Sequence, residues 1–196
     1  MIDPEKIKQF VSLFKELSFN DVVRLFGLFK MRRLRAGEVF VLEGSQYSKL
    51  AYIQKGLIRA YTVKPNGDEI TVIMRWEDQF FASHDYVIHR NTSKYNYQAV
   101  EGTILFEINY DEAQKIFEKH PGFAEARNVI LLNMLGDSLA RVEAFVLLSP
   151  EERYVKLIKD KPNLINRVPD KYIATMLGVT PVSLSRIRKR IASVKH

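Results

Sequence analysis

The chain has 196 residues, 46% hydrophobic and 27% charged, enough to bury a core as one large or two small domains. It holds no cysteine, which excludes disulfides, thiolate clusters, cysteine-bound zinc and a cysteine nucleophile. The net charge of +7 is concentrated at one end: 11 of the 30 basic and 4 of the 23 acidic residues follow Pro150, which leaves 19 of each before it. A folded module with that excess points to phosphates as partners. The start, Met1-Ile2-Asp3-Pro4-Glu5 followed by Lys6 and Lys8, does not read as a secretion signal. No apolar run has membrane-spanning length, so a cytoplasmic location without a membrane partner is expected.

In chain order, residues 4–34 place Ile7, Phe10, Val11, Phe14 and Leu17, then Val22, Val23, Leu25 and Phe26, at helical spacing, and two helices are expected there. From Glu38 the texture changes to short β-rich runs: Val39–Leu42, Leu50–Ile53, Leu57–Val63 and Ile70–Met74. Gly37, Glu43-Gly44-Ser45, Gly56 and Pro65-Asn66-Gly67-Asp68 punctuate them, the last as a hairpin turn, and such spacing suggests a barrel or roll. Phe80–Tyr97 is aromatic and weakly patterned and reads as a loop over the roll, before strand texture returns from Tyr97 to Ile108. A helix of about two turns follows Asn109-Tyr110-Asp111 and is broken by His120-Pro121-Gly122. A long helix comes next, over about 122–148, with Leu132, Leu135, Leu139, Val142 and Val146 on one narrow stripe. That stripe is either a dimer seam or a packing face, and the spacing does not decide. Ser149-Pro150-Glu151-Glu152 starts another helix, where a domain boundary is expected: 1–148 before it, 149–196 after it.

The strongest local pattern runs from Asp170 to Ile191. A helix-turn-helix needs a small residue where its helices cross, a residue tolerant of positive φ in the turn, and apolar inner faces. Ala174, Gly178, and the set Ile173, Leu177, Val179, Leu184 and Ile187 meet these needs. Asp170 suits the cap of the first helix, and Thr180 with Pro181 the start of the second. The second helix turns Val182, Ser183, Ser185, Arg186 and Lys189 away from that core, with Arg188, Arg190 and Lys195 adding charge. Short polar side chains near a helix start, followed by arginine, suit a major-groove reader of double-stranded DNA. Thr180, Val182, Ser183, Ser185, Arg186, Lys189 and Arg190 are the candidate DNA-binding residues.

Over nearly its whole length the sequence resembles the Crp/Fnr family of bacterial transcription regulators. The likeness rests on Gly37-Glu-Val-Phe-Val-Leu-Glu-Gly44, Ile53-Gln-Lys-Gly-Leu-Ile-Arg-Ala60 and Leu177-Gly-Val-Thr followed by Leu184-Ser-Arg186. It implies an α+β fold: an N-terminal β-roll like that of cyclic-nucleotide-binding domains with flanking helices, a long dimerisation helix, and a C-terminal, winged-helix-like helix-turn-helix domain. It also implies a homodimer on a roughly palindromic operator and leaves room for RNA polymerase as a partner. Two departures stand out. Where relatives that bind cyclic nucleotides carry a Gly-Glu pair and an arginine beside a small residue, this chain has Glu77-Asp78-Gln79-Phe80-Phe81 and Tyr95-Asn96-Tyr97. Carboxylates repel phosphate, which argues against a cyclic nucleotide, although Arg90 and Lys94 lie nearby as substitutes. Val182 stands where a base-reading glutamate is common, so the operator differs from the familiar one.

Phe81, Ser83, Tyr95 and Tyr97 are the candidate lining of an effector pocket, with no cofactor named; such an aromatic cluster is otherwise core beneath a loop. His84 and His89 lack the His-x-His spacing of a cupin-type metal site, and Ser83-His84-Asp85 are adjacent rather than convergent, so neither a metal nor a catalytic residue is assigned. The expected protein is a non-enzymatic regulator, set against a dimeric DNA-binding protein without an effector and a cupin-like enzyme with a basic tail.

Overall fold

The computed structural model describes residue 23 and residues 27–119 and 121–194. Eight strands come first: β1 (Lys30–Leu34), β2 (Val39–Val41), β3 (Lys49–Lys55), β4 (Ile58–Val63), β5 (Glu69–Arg75), β6 (Phe80–Ala82), β7 (Asn96–Ala99) and β8 (Thr103–Asn109). A short helix, α1 (His84–His89), interrupts them after β6. They form two four-stranded antiparallel sheets, ordered β1-β8-β3-β6 and β2-β7-β4-β5. Alternation sends one face of each sheet inward: Ala51 and Ile53 of β3, Ile58 and Ala60 of β4, Tyr97 and Ala99 of β7 and Leu105 of β8 are buried together with Leu34, Val41, Tyr47 and Phe81. Asn66-Gly67 turns β4 into β5, with Gly67 at φ +85° and its N–H donating to the Lys64 carbonyl.

The helices follow: α2 (Tyr110–Lys119), α3 (Pro121–Leu147), α4 (Pro150–Asp160), a 3-10 turn (Leu164–Asn166), α5 (Asp170–Met176) and α6 (Pro181–Val194). The Asn109 side-chain oxygen caps α2 by accepting from the N–H groups of Asp111 and Glu112. At 27 residues, α3 is about 40 Å long. Ser149 caps α4 in a reciprocal capping box with Glu152. Phe117 of α2 and Phe123 of α3 pack on Ile108 and fasten the long helix to the roll. No strand follows β8 among the described residues.

Two expectations need correction. Lys30–Leu34 is strand rather than the end of a helical region: it pairs antiparallel with β8, Arg32 opposite Leu105 and Leu34 opposite Thr103. The ladder offered by β8 outweighs any local preference in five residues. The remaining helical positions of 4–26, Val23 apart, lie outside the described residues. The segment 80–97 is not a loop but holds β6, α1 and the start of β7. Its pattern is weak because Phe81, Ala82, Ser83, Asp85 and Tyr86 are all buried, which erases the polar face that periodicity needs.

Candidate nucleic-acid interface

The two C-terminal helices α5 and α6 are joined through Leu177–Thr180. Gly178 sits in the turn at φ +73°, a conformation costly for any residue with a Cβ. Ile173, Ala174 and Leu184 are fully buried where the helices meet, and Leu177 and Ile187 nearly so. The Thr180 hydroxyl caps α6 by accepting from the Ser183 N–H at 3.1 Å, and it donates to the Ser183 hydroxyl. Asp170 does not cap α5. It lies one residue inside the helix, behind Pro169, and its carboxylate accepts from Arg188 at 2.7 Å, which ties α5 to α6 instead.

The outward side of α6 carries Val182, Ser185, Arg186 and Lys189, all exposed and at helical neighbour spacing. Thr180 is exposed and Ser183 half-buried, their hydroxyls engaged with each other in the cap. Arg190 is exposed as well, but its guanidinium is held by Glu151 of α4 at 2.6 Å. Among the described residues the cationic edge is therefore narrower than the residue types suggest and centres on Arg186 and Lys189.

On α3 the residues of the stripe, Leu132, Leu135, Leu139, Val142 and Val146, are each 57–75% exposed among the described residues. Five apolar side chains left in water along one helix form a patch of the kind that marks an interaction face.

Inside the roll the expected effector residues behave differently. Phe81 and Tyr97 stack on each other and on Tyr47, with centroids 5.9–6.4 Å apart, and Phe40 closes the cluster edge-on. The space that Phe81 and Tyr97 line, with Arg75, His84 and Met134, measures about 10 Å³, room for one water at most. Tyr95 packs against the same core from outside, and the Ser83 hydroxyl is buried without a hydrogen-bond partner. Of the candidate phosphate holders, Arg90 pairs with Asp111 at 2.7 Å and Lys94 with Asp85 at 3.5 Å. Burial, then the charge of Arg75, push the His84 imidazole below its ordinary pKa, which favours its neutral form. Among the described residues, no three His, Asp or Glu side chains gather where a metal could sit, and no helix is long and apolar enough to cross a membrane.

Sequence reasoning missed the residues that hold the two-helix unit in place. Arg59, fully buried in β4, donates to Gln98, Thr71 and Glu69 and lies between the rings of Tyr61 and of Tyr172 on α5, 3.9 and 3.6 Å from their centroids. Arg167, just before α5, grips Glu77 through both carboxylate oxygens and also pairs with Glu101, while Glu77 accepts from the Gly56 N–H. Burial pushes the Glu77 carboxyl up, but the Arg167 and backbone hydrogen bonds outweigh it and hold it below the ordinary value. Thr71, on the outermost strand β5, donates its N–H to the Thr175 hydroxyl of α5. From the other side, Arg141 of α3 donates to the Met176 carbonyl and Arg153 of α4 to that of Leu177, satisfying the end of α5, while Arg153 also donates to the Leu148 carbonyl at the end of α3. The one local signal was Glu77 itself, whose charge was read against a phosphate and is in fact matched by an arginine 90 residues away.

Residues 31–120 match the family described as the cyclic nucleotide-binding domain. Among solved structures, the c-di-GMP responsive global regulator CLP of Xanthomonas campestris is similar at 17% identity, over 91% of this chain and 93% of that one, with a TM-score of 0.72. FixK2 from Bradyrhizobium japonicum is similar at 12% identity, over 85% and 86%, with a TM-score of 0.73. A transcriptional regulator of the Crp/Fnr family from Eubacterium rectale is similar at 14% identity, over 92% and 86%, with a TM-score of 0.69. No curated protein sequence matches the chain.

Proposed function

We propose that the chain, whose fold is like that of Crp/Fnr regulators and whose residues 31–120 match the cyclic nucleotide-binding domain, is a homodimeric, DNA-binding transcription regulator rather than an enzyme. The observation that carries the reading is the pairing of a buried inner face with an exposed outer one on α6: Leu184 and Ile187 are inside, Val182, Ser185, Arg186 and Lys189 outside. A helix so presented fits the major groove, with Arg186 suited to a guanine edge and Lys189 to phosphate. The bare α3 stripe is the seam that joins two copies, and twofold symmetry then sets two α6 helices on successive grooves of a roughly palindromic site, about 34 Å apart.

The test is selection of bound sequences from random duplex DNA by the full chain, followed by titration of the selected site against salt. The expected result is a twofold-symmetric consensus whose affinity falls steeply with ionic strength. Arg186→Ala is expected to weaken the selected site by about tenfold or more and random duplex much less. An unselective pool, or equal losses on both duplexes, would overturn the reading. The filled roll interior also favours a regulator that takes no cyclic nucleotide there: calorimetric titration with cyclic AMP and cyclic GMP is expected to show no saturable heat.

A further inference from the structure

Between β5, α3, α4 and the end of α5 lies a crevice of about 330 Å³, within the range of small-ligand sites. Ile73, Ala140, Ala144 and Leu157 give it an apolar floor. Its rim is cationic: Arg75, Arg141, Arg153, Lys156 and Lys161 stand against only Asp137 and Asp160. Some of that charge is already used, since Arg153 donates to the Leu177 and Leu148 carbonyls and Lys156 pairs with Asp160 at 3.1 Å. Arg75 and Arg141 are less well matched. Arg75 is 13% exposed, meets Asp137 only at 3.9 Å and gives a long hydrogen bond of 3.5 Å to the Met74 carbonyl, while Arg141 gives one N–H to the Met176 carbonyl. Burial lowers the Arg141 pKa, and the charges of Arg75 and Arg153 lower it further, the mark of cations crowded together without enough counter-charge. An oxyanion relieves that repulsion and offers acceptors matched to the guanidinium fork. One wall is Trp76, with the Lys161 ammonium 5.1 Å from its ring centroid.

We propose that this crevice binds an organic oxyanion, a phosphate or carboxylate on a flat apolar body, with Arg75 and Arg141 holding the charged group and Trp76 and the apolar floor receiving the body. The crevice borders the filled roll interior, Ile73 and Arg75 lining both. At about 100° per residue, Ala140, Arg141 and Ala144 face away from the Leu132–Val146 stripe, so a second copy seated on that stripe leaves the crevice open. Its walls come from the roll, the long helix, α4 and the α5 terminus, so a bound anion fixes the two-helix unit relative to the seam; this consequence rests on the DNA-binding reading, whereas the binding itself does not.

Trp76 is the chain's single tryptophan, and its emission therefore reports on the crevice without a label. The full chain is titrated with phenyl phosphate, benzoate, inorganic phosphate and benzyl alcohol, following Trp76 fluorescence and heat. Saturable binding of phenyl phosphate or benzoate is expected, the tighter of the two identifying the oxyanion, with inorganic phosphate and the neutral alcohol about tenfold weaker or worse. Arg75→Met and Arg141→Met are each expected to weaken the better probe by about tenfold or more, with thermal unfolding used to verify that each variant folds. Should Arg141→Met fail to fold, Arg75→Met decides. No saturation by any probe, or undiminished binding in a folded variant, would overturn the proposal. The assay contains no DNA, so its failure leaves the reading of α6 standing, and the selection experiment can fail without touching the crevice.

Discussion

Gly56 shows how one residue can carry a constraint that no side chain advertises. It stands between β3 and β4 at φ +99°, and an added Cβ would lie 2.7 Å from the Thr103 Cα and 2.8 Å from the Gly102 carbonyl oxygen, both backbone atoms that cannot swing aside. Gly56→Ala is therefore expected to cost about 3 kcal/mol and to lower Tm by roughly 6 to 12 °C. Gly44→Ala makes the control, since its φ is +80° with nothing within 4 Å of the new Cβ, and only the conformational penalty of about 1 kcal/mol applies. Differential scanning calorimetry of the two variants separates packing from backbone strain; equal shifts would refute the close approach. At this scale the turn glycines were legible in the sequence, because Asn66-Gly67 and Gly178 stand in patterns with a local meaning. Arg59 and Arg167 were not. Their partners Gln98 and Tyr172, and Glu77 and Glu101, lie far along the chain, and an isolated arginine looks the same whether it faces water or a buried ring.

Among the elements, α3 is the one whose shape makes sense only with something added. Its inner side is fastened by Phe123 and Arg141, while Leu139 and its stripe neighbours stay in water. On the proposed dimer, Leu139→Lys places a charge in the middle of the seam, and the expected outcome is a monomer by sedimentation at concentrations where the parent is expected to be a dimer, with the unfolding midpoint of the single chain little changed. A parent that already sediments as a monomer, or a variant that remains dimeric, would remove the seam. The alternating steps of three and four were plain in the sequence, but exposure was needed to favour a seam over a packing face. Helix starts were equally readable where a hydroxyl cap met a proline, at Ser149-Pro150 and Thr180-Pro181. The reading failed at Asp170, whose carboxylate goes to Arg188, and at β1, whose strand character comes from β8. Both failures have one cause, a tertiary partner stronger than the local preference.

Across the whole molecule, the C-terminal helices are set against the roll by a shared apolar core and by a few charged contacts at Arg59 and Arg167. Glu77 ionises more easily in the fold than in the unfolded chain, so its contribution to stability is complete above the ordinary carboxylate range and is lost as pH falls through its lower folded value. Urea midpoints followed from neutral pH into that acid range are expected to drop in the parent, and Glu77→Gln is expected to start lower and flatten part of the acid loss. Parallel curves would show that the Arg167 contact carries no linkage. The roll and the two-helix unit could each be read from the sequence, as pattern and punctuation are local. Their docking could not, because it depends on how Leu57 and Met74 of the roll meet Ile173 and Leu177. That docking has a cost when undone. With α5 lifted away, β5 is a bare sheet margin with open backbone donors, Thr71 among them, beside newly wetted apolar side chains. Such a margin recruits a strand from another chain. Any swing of the two-helix unit must therefore be small or quickly re-covered, or self-association follows.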